Sequence, residues 1–158
     1  MTDMLTHDAL LPVSWRARRG DFVSLMTLYE SNFIRLRQLV PALRSLTGTH
    51  LSLREDDCRL AVSVEEQAAY TTTFNLTYVF DTGSGEIADP DLTVRVYHDA
   101  LLAEVLACAR WHRHRVLATL GNHLKGELND RWRRNVMLNK WLEYCLDRGH
   151  RFSAAPVA

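Results

Sequence analysis

The side chains most capable of chemistry are concentrated in the segment Arg95–Asp99, RVYHD. His98 beside Asp99 could act as an acid–base pair. Arg95 could help a following helix N-terminus to bind an anion. Glu104 follows on the next element, and two more arginines lie further along the chain. The ligand-binding residues predicted from the sequence are Arg95, Tyr97, His98, Asp99, Glu104, Arg131 and Arg134.

The same residues also have a structural interpretation. Asp99 suits the N-cap of a helix, Arg95 can pair with a neighbouring carboxylate, and His98 can serve as a hydrogen-bonded structural residue. No serine, cysteine or lysine stands in a recognisable nucleophilic setting. The sequence therefore predicts no catalytic residue and leaves open whether the His98 region is a ligand site or part of the scaffold.

Three histidines form a second pattern. If residues 111–118 form a strand, His112 and His114 point the same way, and His123 follows nearby. Zinc needs three or four ligands in tetrahedral order, and the arginines between these histidines add unfavourable positive charge. The sequence accordingly predicts a solvated basic face here, with no metal and no cofactor.

Arginines interleaved with aromatic residues occur in segments 110–115 and 131–134. Single-stranded nucleic acids are bound by such combinations, because cations contact phosphates and flat rings stack on bases. However, Trp132 falls at a core position of its predicted helix, and the formal net charge is zero, with 19 basic and 19 acidic residues. Weak nucleic-acid binding is therefore an alternative and not the leading hypothesis.

The zero net charge hides a segregation along the chain. Residues 16–44 carry a net +4, residues 54–104 a net −8 and residues 110–134 a net +5. Basic helices laid on an acidic sheet would produce this pattern by internal complementarity. A field that steers a charged partner is the other interpretation.

Two amphipathic helices are predicted, one near each end of the chain. The first has Asp21 as its N-cap and runs to about Val40, where Pro41 disfavours helical geometry. Its apolar face has helical spacing, and the side chains of Met26, Tyr29 and Phe33 line either a cleft or plain core. The second helix is predicted over Glu127–Arg148 and ends at Gly149.

The segment between the helices alternates apolar and polar residues. Strands are predicted at His50–Arg54, Arg59–Glu65, Tyr70–Phe80 and Leu92–His98, with a turn at Asp81–Gly85. A short helix is predicted over Ala100–Arg110, and residues 111–118 form either a last strand or a continuation of that helix. Short links between consecutive strands indicate an antiparallel meander.

The fold class predicted is α+β, in which an antiparallel sheet of four to five strands is flanked by long N-terminal and C-terminal helices in a two-layer sandwich. With 158 residues, the chain can bury one core without staples. Residues 1–19 are predicted to be a flexible lead-in, residues 20–150 a single domain and residues 151–158 a C-terminal tail.

Three stretches resemble the YqiB-like family of uncharacterised bacterial proteins: DFVSLMTLYESNFIRLRQLVP, LTVRVYHDALLAEV and NKWLEYCLDRG. The resemblance runs from about Asp21 to Gly149. It implies a small cytoplasmic bacterial protein. Because the family has no established activity, the resemblance supplies no catalytic residues.

The leading hypothesis is a cytoplasmic binding or regulatory module, without catalytic apparatus, that recognises a protein partner or a small anionic ligand. An odd number of cysteines, three, fits a reducing compartment, and neither a secretory signal nor a membrane span is predicted. The alternatives are a small-molecule enzyme or receptor that uses Arg95, His98 and Asp99, and the nucleic-acid binding described above. A protein partner could dock on an edge strand of the sheet.

Overall fold

The computed structural model describes residues 22–108 and 130–153. Within these ranges the chain forms two helices and five strands, in an order with one helix at each end. The elements are α1 (Phe22–Leu39), β1 (Thr49–Ser52), β2 (Arg59–Gln67), β3 (Thr71–Thr82), β4 (Gly85–Tyr97), β5 (Leu102–Ala107) and α2 (Asp130–Asp147).

The five strands form one sheet in the order β1-β2-β3-β4-β5, and all neighbours are antiparallel. The sheet is therefore a meander, with β1 and β5 at its edges. This α+β arrangement confirms the predicted fold class. Each helix has 18 residues, so each is about 27 Å long.

The core lies between the apolar face of the sheet and the two helices. Alternation along β4 places Val94 and Val96 in the core and Arg95 on the opposite face. Trp141 of α2 packs edge-on against Tyr78 of β3, with ring centroids 5.2 Å apart. The apolar side chains of both helices and all strands but β1 belong to one buried cluster, so helices and sheet close over a common interior.

The ends of the helices follow the local signals in the sequence. The α1 helix ends at Leu39, two residues before Pro41, as predicted. Gly149 has φ of 89° and comes just after α2, which is the predicted terminator position. The predicted N-cap Asp21 and the predicted start of the second helix at Glu127 lie outside the described residues.

The hairpin between β3 and β4 is longer than predicted. Thr82 pairs with Gly85, so the turn contracts to Gly83 and Ser84 and both strands extend to it. The register shifts between Leu76 and Tyr78, so Pro90 and Asp91 of β4 have no register partner on β3, while pairing continues on both sides of them.

The helix predicted over Ala100–Arg110 is wrong for the residues that are described. Leu102–Ala107 form strand β5, which pairs with β4, and Asp99 belongs to the turn before it instead of capping a helix. Ala, Leu and Glu favour helix in isolation, but packing overrides so weak a preference. Ala103 and Val105 alternate into the core, with exposed fractions of 0% and 1%, and a strand presents both to it.

The chain after α2 folds back onto the sheet and α1. Phe152 is buried, and its N–H donates to the carbonyl of Leu39 at 2.8 Å. Residues 151–153, the described part of the predicted tail, are thus packed against the domain. The predicted lead-in over residues 1–19 and the predicted strand over 111–118 lie outside the described residues.

Candidate functional site

Two buried asparagines hold α1, α2 and the edge strand β5 together at one point. The side-chain N–H of Asn32 donates to the carbonyl of Ala103 at 3.5 Å, and the backbone N–H of Val105 donates to Asn135 at 2.9 Å. Asn32 also donates to the side-chain oxygen of Asn135 at 3.3 Å. Two backbone groups of β5, the carbonyl of Ala103 and the N–H of Val105, are therefore bound by helix side chains instead of a sixth strand.

This junction positions three functional side chains. Tyr29 lies three residues before Asn32, on the same side of α1. Arg131 lies four residues before Asn135 on α2, and its carbonyl accepts a hydrogen bond from the Asn135 side chain at 2.8 Å. Glu104 lies between the two residues of β5 that the asparagines bind. A tyrosine, an arginine and a glutamate thus each lie within four residues of this junction along their own elements.

Several of these residues act electrostatically on Tyr29. Burial raises the pKa of Tyr29, the charge of Glu104 raises it further, and the charges of Arg131 and Arg134 lower it. Tyr97 also acts on it, and raises the pKa. These five residues, Tyr29, Tyr97, Glu104, Arg131 and Arg134, are called the Tyr29 cluster below. Four of them are among the residues predicted from the sequence.

Tyr97 and Glu104 are directly linked within the cluster. The Tyr97 hydroxyl donates to Oε2 of Glu104 at 2.9 Å. Burial and this hydrogen bond raise the pKa of Tyr97, whereas Arg95 lowers it. Arg95 pairs with Glu104 across the strands, and its Nε donates to Thr73 at 3.0 Å. Arg95 therefore supports Tyr97 from the adjoining part of the sheet.

The Tyr29 hydroxyl differs from most buried tyrosine hydroxyls. Tyr29 is only 5% exposed, yet its hydroxyl has no hydrogen-bond partner among the described residues. The hydroxyl is not one of the fully enclosed polar atoms that lack a partner. Buried tyrosine hydroxyls normally find a partner, so this one is a natural contact for a bound molecule.

Arg134 and its neighbour Arg133 differ in their surroundings. Arg133 forms an ion pair with Asp130, one turn earlier on α2. Arg134 has an enclosed Nε without a hydrogen-bond partner in the described part of the chain. Burial raises the pKa of Cys108, and among the charges that lower this pKa the charge of Arg134 has the largest effect. The charge of Arg134 thus acts on both Tyr29 and Cys108, and its Nε has no hydrogen-bond partner among the described residues.

His98 and Asp99 lie apart from the Tyr29 cluster. Alternation along β4 turns His98 to the face opposite Tyr97, and His98 is 8% exposed. Its Nε2 hydrogen-bonds the Thr72 hydroxyl at 2.7 Å. Burial lowers the pKa of His98, the charge of Arg44 lowers it further, and Asp99 partly opposes them. Asp99 is exposed in the turn before β5.

A second polar group, hidden from sequence reasoning, lies beneath β1. Nδ1 of His150 is 2.9 Å from the Ser52 hydroxyl, and Nε2 is 2.9 Å from Oδ2 of Asp57. The same oxygen accepts the Tyr78 hydroxyl at 2.7 Å, and the Cys145 thiol donates to Tyr78 at 3.7 Å. Serine, histidine and aspartate in this order are the components of a hydrolase triad.

The burial of this group explains it as a structural clamp. The side chains of His150 and Asp57 are 0% and 3% exposed, and Ser52 is 6% exposed. The Ser52 hydroxyl also accepts the backbone N–H of Arg151 at 3.2 Å, so it is engaged on two sides. Ser52 and Asp57 are 98 and 93 positions from His150 in the chain, so no local sequence pattern could have revealed this group.

The remaining predictions from the sequence fall largely outside the described residues. His112, His114 and His123 lie outside the described residues. Within residues 22–108 and 130–153, no group of three His, Cys, Asp or Glu side chains is placed to hold a metal ion. Segment 110–115 is also outside, while Trp132 is 1% exposed, as its core position predicts. No helix in the described ranges is long and apolar enough to span a membrane.

Comparison with known proteins now defines the class. Residues 35–151 match the family model described as a protein of unknown function, DUF1249. The uncharacterized protein YqiB of Escherichia coli strain K12 is 30% identical over 129 residues, which cover 82% of this chain and 91% of that protein. YqiB of Escherichia coli O157:H7 gives the same values, and no solved structure matches.

This is therefore a small α+β protein of a class whose activity is unknown. More particularly, the chain belongs to the DUF1249 family, which confirms the resemblance to the YqiB-like proteins. The match includes β5 and α2 and omits the start of α1, so it covers all of the Tyr29 cluster except Tyr29.

Proposed function

We propose that this protein is a binding module for a small anionic ligand, which the Tyr29 cluster holds. Arg131 and Arg134 provide positive charge, and the Tyr29 hydroxyl provides a neutral donor. The observation that carries the proposal is the hydroxyl of Tyr29, a residue that is 5% exposed: it has no hydrogen-bond partner in the described part of the chain, and the charges of Arg131 and Arg134 act to lower its pKa. Arginine forks suit carboxylate and phosphate groups, so these are the anions expected.

The acid–base alternative requires His98 to act beside Arg95, but the two side chains lie on opposite faces of β4. The proposal therefore gives His98 a structural role, with Thr72 as its partner. Nucleic-acid binding requires several arginines and an accessible aromatic ring, whereas Trp132 lies in the core. The free thiols of Cys58, Cys108 and Cys145 support a reducing location such as the cytoplasm.

The test is a titration calorimetry series with glutarate and with inorganic phosphate, on the full chain and on three variants. Arg134→Gln removes a charged donor, which is worth about 1.5–3 kcal/mol of binding, or roughly 10- to 150-fold in affinity. Tyr29→Phe weakens binding by about fivefold or more, since one neutral hydrogen bond is lost, while the free energy of unfolding stays unchanged because no protein partner is lost.

Arg133→Gln is the matched control. It removes the same charge one position earlier on α2, but from an arginine that pairs with Asp130 and that is not among the residues that shift the pKa of Tyr29 most. We expect this variant to bind like the original chain. The proposal is refuted if neither anion binds with a Kd below about 1 mM, or if Arg133→Gln weakens binding as much as Arg134→Gln.

A further inference from the structure

Three hydrogen-bonded side chains at one end of the sheet fix the tautomer of His98. The side-chain N–H groups of Gln67 donate to the carbonyls of Leu43 and Leu46 at 3.1 and 2.8 Å, which leaves its oxygen as an acceptor. That oxygen accepts the Thr72 hydroxyl at 2.6 Å. Because a hydroxyl has only one hydrogen, the contact of 2.7 Å between Thr72 and Nε2 of His98 needs the proton on Nε2. Gln67, Thr72 and His98 are called the His98 chain below.

The second ring nitrogen of His98, Nδ1, has no hydrogen-bond partner among the described residues. It is also not one of the fully enclosed polar atoms that lack a partner. Because the tautomer places the first proton on Nε2, Nδ1 carries the lone pair and is the atom that binds a second proton. That proton puts a positive charge on a residue that is 8% exposed.

The neighbours of His98 make this charged form unfavourable. Nη2 of Arg44 donates to the carbonyl of Ala69 at 3.3 Å, and the next carbonyl, that of Tyr70, accepts the backbone N–H of His98 at 2.9 Å. Arg44 and His98 therefore bind consecutive carbonyls of one turn. Burial and the charge of Arg44 lower the pKa of His98, and Asp99 in its own turn opposes them, while the other members of the His98 chain are neutral.

The His98 chain anchors the connection between α1 and β1, residues 41–47. Leu43 and Leu46 supply the two carbonyls that the chain binds, and both side chains belong to the core, with exposed fractions of 4% and 6%. Arg44 lies between these two residues in the sequence. Release of the connection from the sheet therefore moves the charge of Arg44 away from His98 and opens the ring to water.

We propose that the His98 chain is an acid-sensitive latch, in which protonation of His98 at Nδ1 favours release of residues 41–47 from the sheet. The ring takes up a proton more readily in the released state than in the held state, so acid shifts the equilibrium towards release. Release exposes Leu43 and Leu46 to water, so the released state stays a minority. This inference is independent of the proposed anion site.

Hydrogen exchange followed by NMR tests the latch at about pH 7.5 and about pH 5.5, after correction for the intrinsic pH dependence of exchange. The reporters are the side-chain amide of Gln67 and the backbone N–H groups of Leu43 and Ser45, which donate to carbonyls three residues earlier. Each pH unit below the ordinary histidine pKa of about 6.5 raises the released fraction by at most about tenfold. We therefore expect the protection of these groups to fall about threefold to tenfold in acid, while the N–H groups of β3 keep theirs.

His98→Gln is the decisive variant, because an amide N–H can still donate to Thr72 while the side chain takes up no proton. We expect its corrected protection to be the same at both pH values. His50→Gln is the matched control: Nε2 of His50 is 2.7 Å from the carbonyl of Thr47 at the other end of the connection, and this histidine is not part of the His98 chain. We expect this variant to keep the pH effect.

Three results would overturn the latch. They are equal protection at both pH values in the original chain, a pH effect that persists in His98→Gln, and a pH effect that disappears in His50→Gln. Nitrogen chemical shifts of the imidazole at about pH 7.5 check the hydrogen-bond chain directly: a proton on Nε2 of His98 supports the latch, and a proton on Nδ1 contradicts it.

Discussion

Replacing Asn135 by alanine tests the junction on which the Tyr29 cluster depends. Asn135 accepts the N–H of Val105 at 2.9 Å and that of Asn32 at 3.3 Å, and it donates to the carbonyl of Arg131 at 2.8 Å. Val105 is 1% exposed, so its N–H has no access to water after the substitution. A buried donor left without a partner costs about 1–3 kcal/mol.

Because the Asn32 side chain keeps its bond to Ala103, the loss is dominated by Val105. We expect Asn135→Ala to lower the free energy of unfolding by about 2–4 kcal/mol, a large share of the roughly 5–15 kcal/mol typical of a domain. Urea unfolding followed by tryptophan fluorescence measures this loss. Amide hydrogen exchange at Val105 checks its location, since the released N–H should exchange faster than those of β3.

Asn75→Ala is the matched control for this measurement. Asn75 donates to Asp91 at 2.7 Å in an exposed pair on the other face of the sheet, where water can replace the bond, so the loss should be under about 1 kcal/mol. The reasoning fails if the two variants are equally stable, or if Val105 remains as protected in Asn135→Ala as in the original chain.

Three further predictions concern other parts of the fold. Burial and the charge of Arg44 lower the pKa of His98, so the unfolded chain binds a proton at this residue more readily than the folded chain does. The stability that His98 contributes is therefore present above about pH 6.5 and is lost as the pH falls below it. The urea midpoint should change less between about pH 8 and pH 5 in His98→Gln than in the original chain, and an equal change would contradict this. Ser52→Ala should lower the free energy of unfolding by about 1–3 kcal/mol and leave p-nitrophenyl acetate hydrolysis unchanged, whereas a Ser52-dependent rate would show that the clamp is catalytic. Leu101 has φ of 58° and is 51% exposed; Asn tolerates that conformation better, so Leu101→Asn should raise the unfolding free energy by about 1 kcal/mol, and a lower melting temperature would contradict it.

The elements that were predicted correctly are those whose pattern is unambiguous over many residues. The helical spacing of α1 and the strict alternation of β3 each allow only one regular structure. LAEVLA in β5 is short and rich in helix formers, and its state depends on β4 and on two asparagines from distant helices. The two asparagines are far from β5 in the chain, so propensity alone predicted the wrong element.

Part of the candidate site, like part of the fold, could be predicted from the sequence. Arg95 and Tyr97 alternate with buried valines, and that spacing places them together on one face of β4. Tyr29 occupies a position in an apolar helical stripe, where tyrosine is indistinguishable from ordinary core. Only the three-dimensional structure shows that its hydroxyl has no hydrogen-bond partner among the described residues.

The hydrogen bonds from Asn32 and Asn135 to the backbone of β5 also affect how copies of this protein can associate. A sheet that extends from molecule to molecule into a fibril needs an edge strand with unpaired backbone groups on each side. Here side chains of both helices bind backbone groups of one edge strand, β5, and β1 forms the other edge of the sheet. Pairing between edge strands can therefore join two copies through β1 but cannot continue to a third copy through β5. This protects the folded protein against open-ended polymerisation.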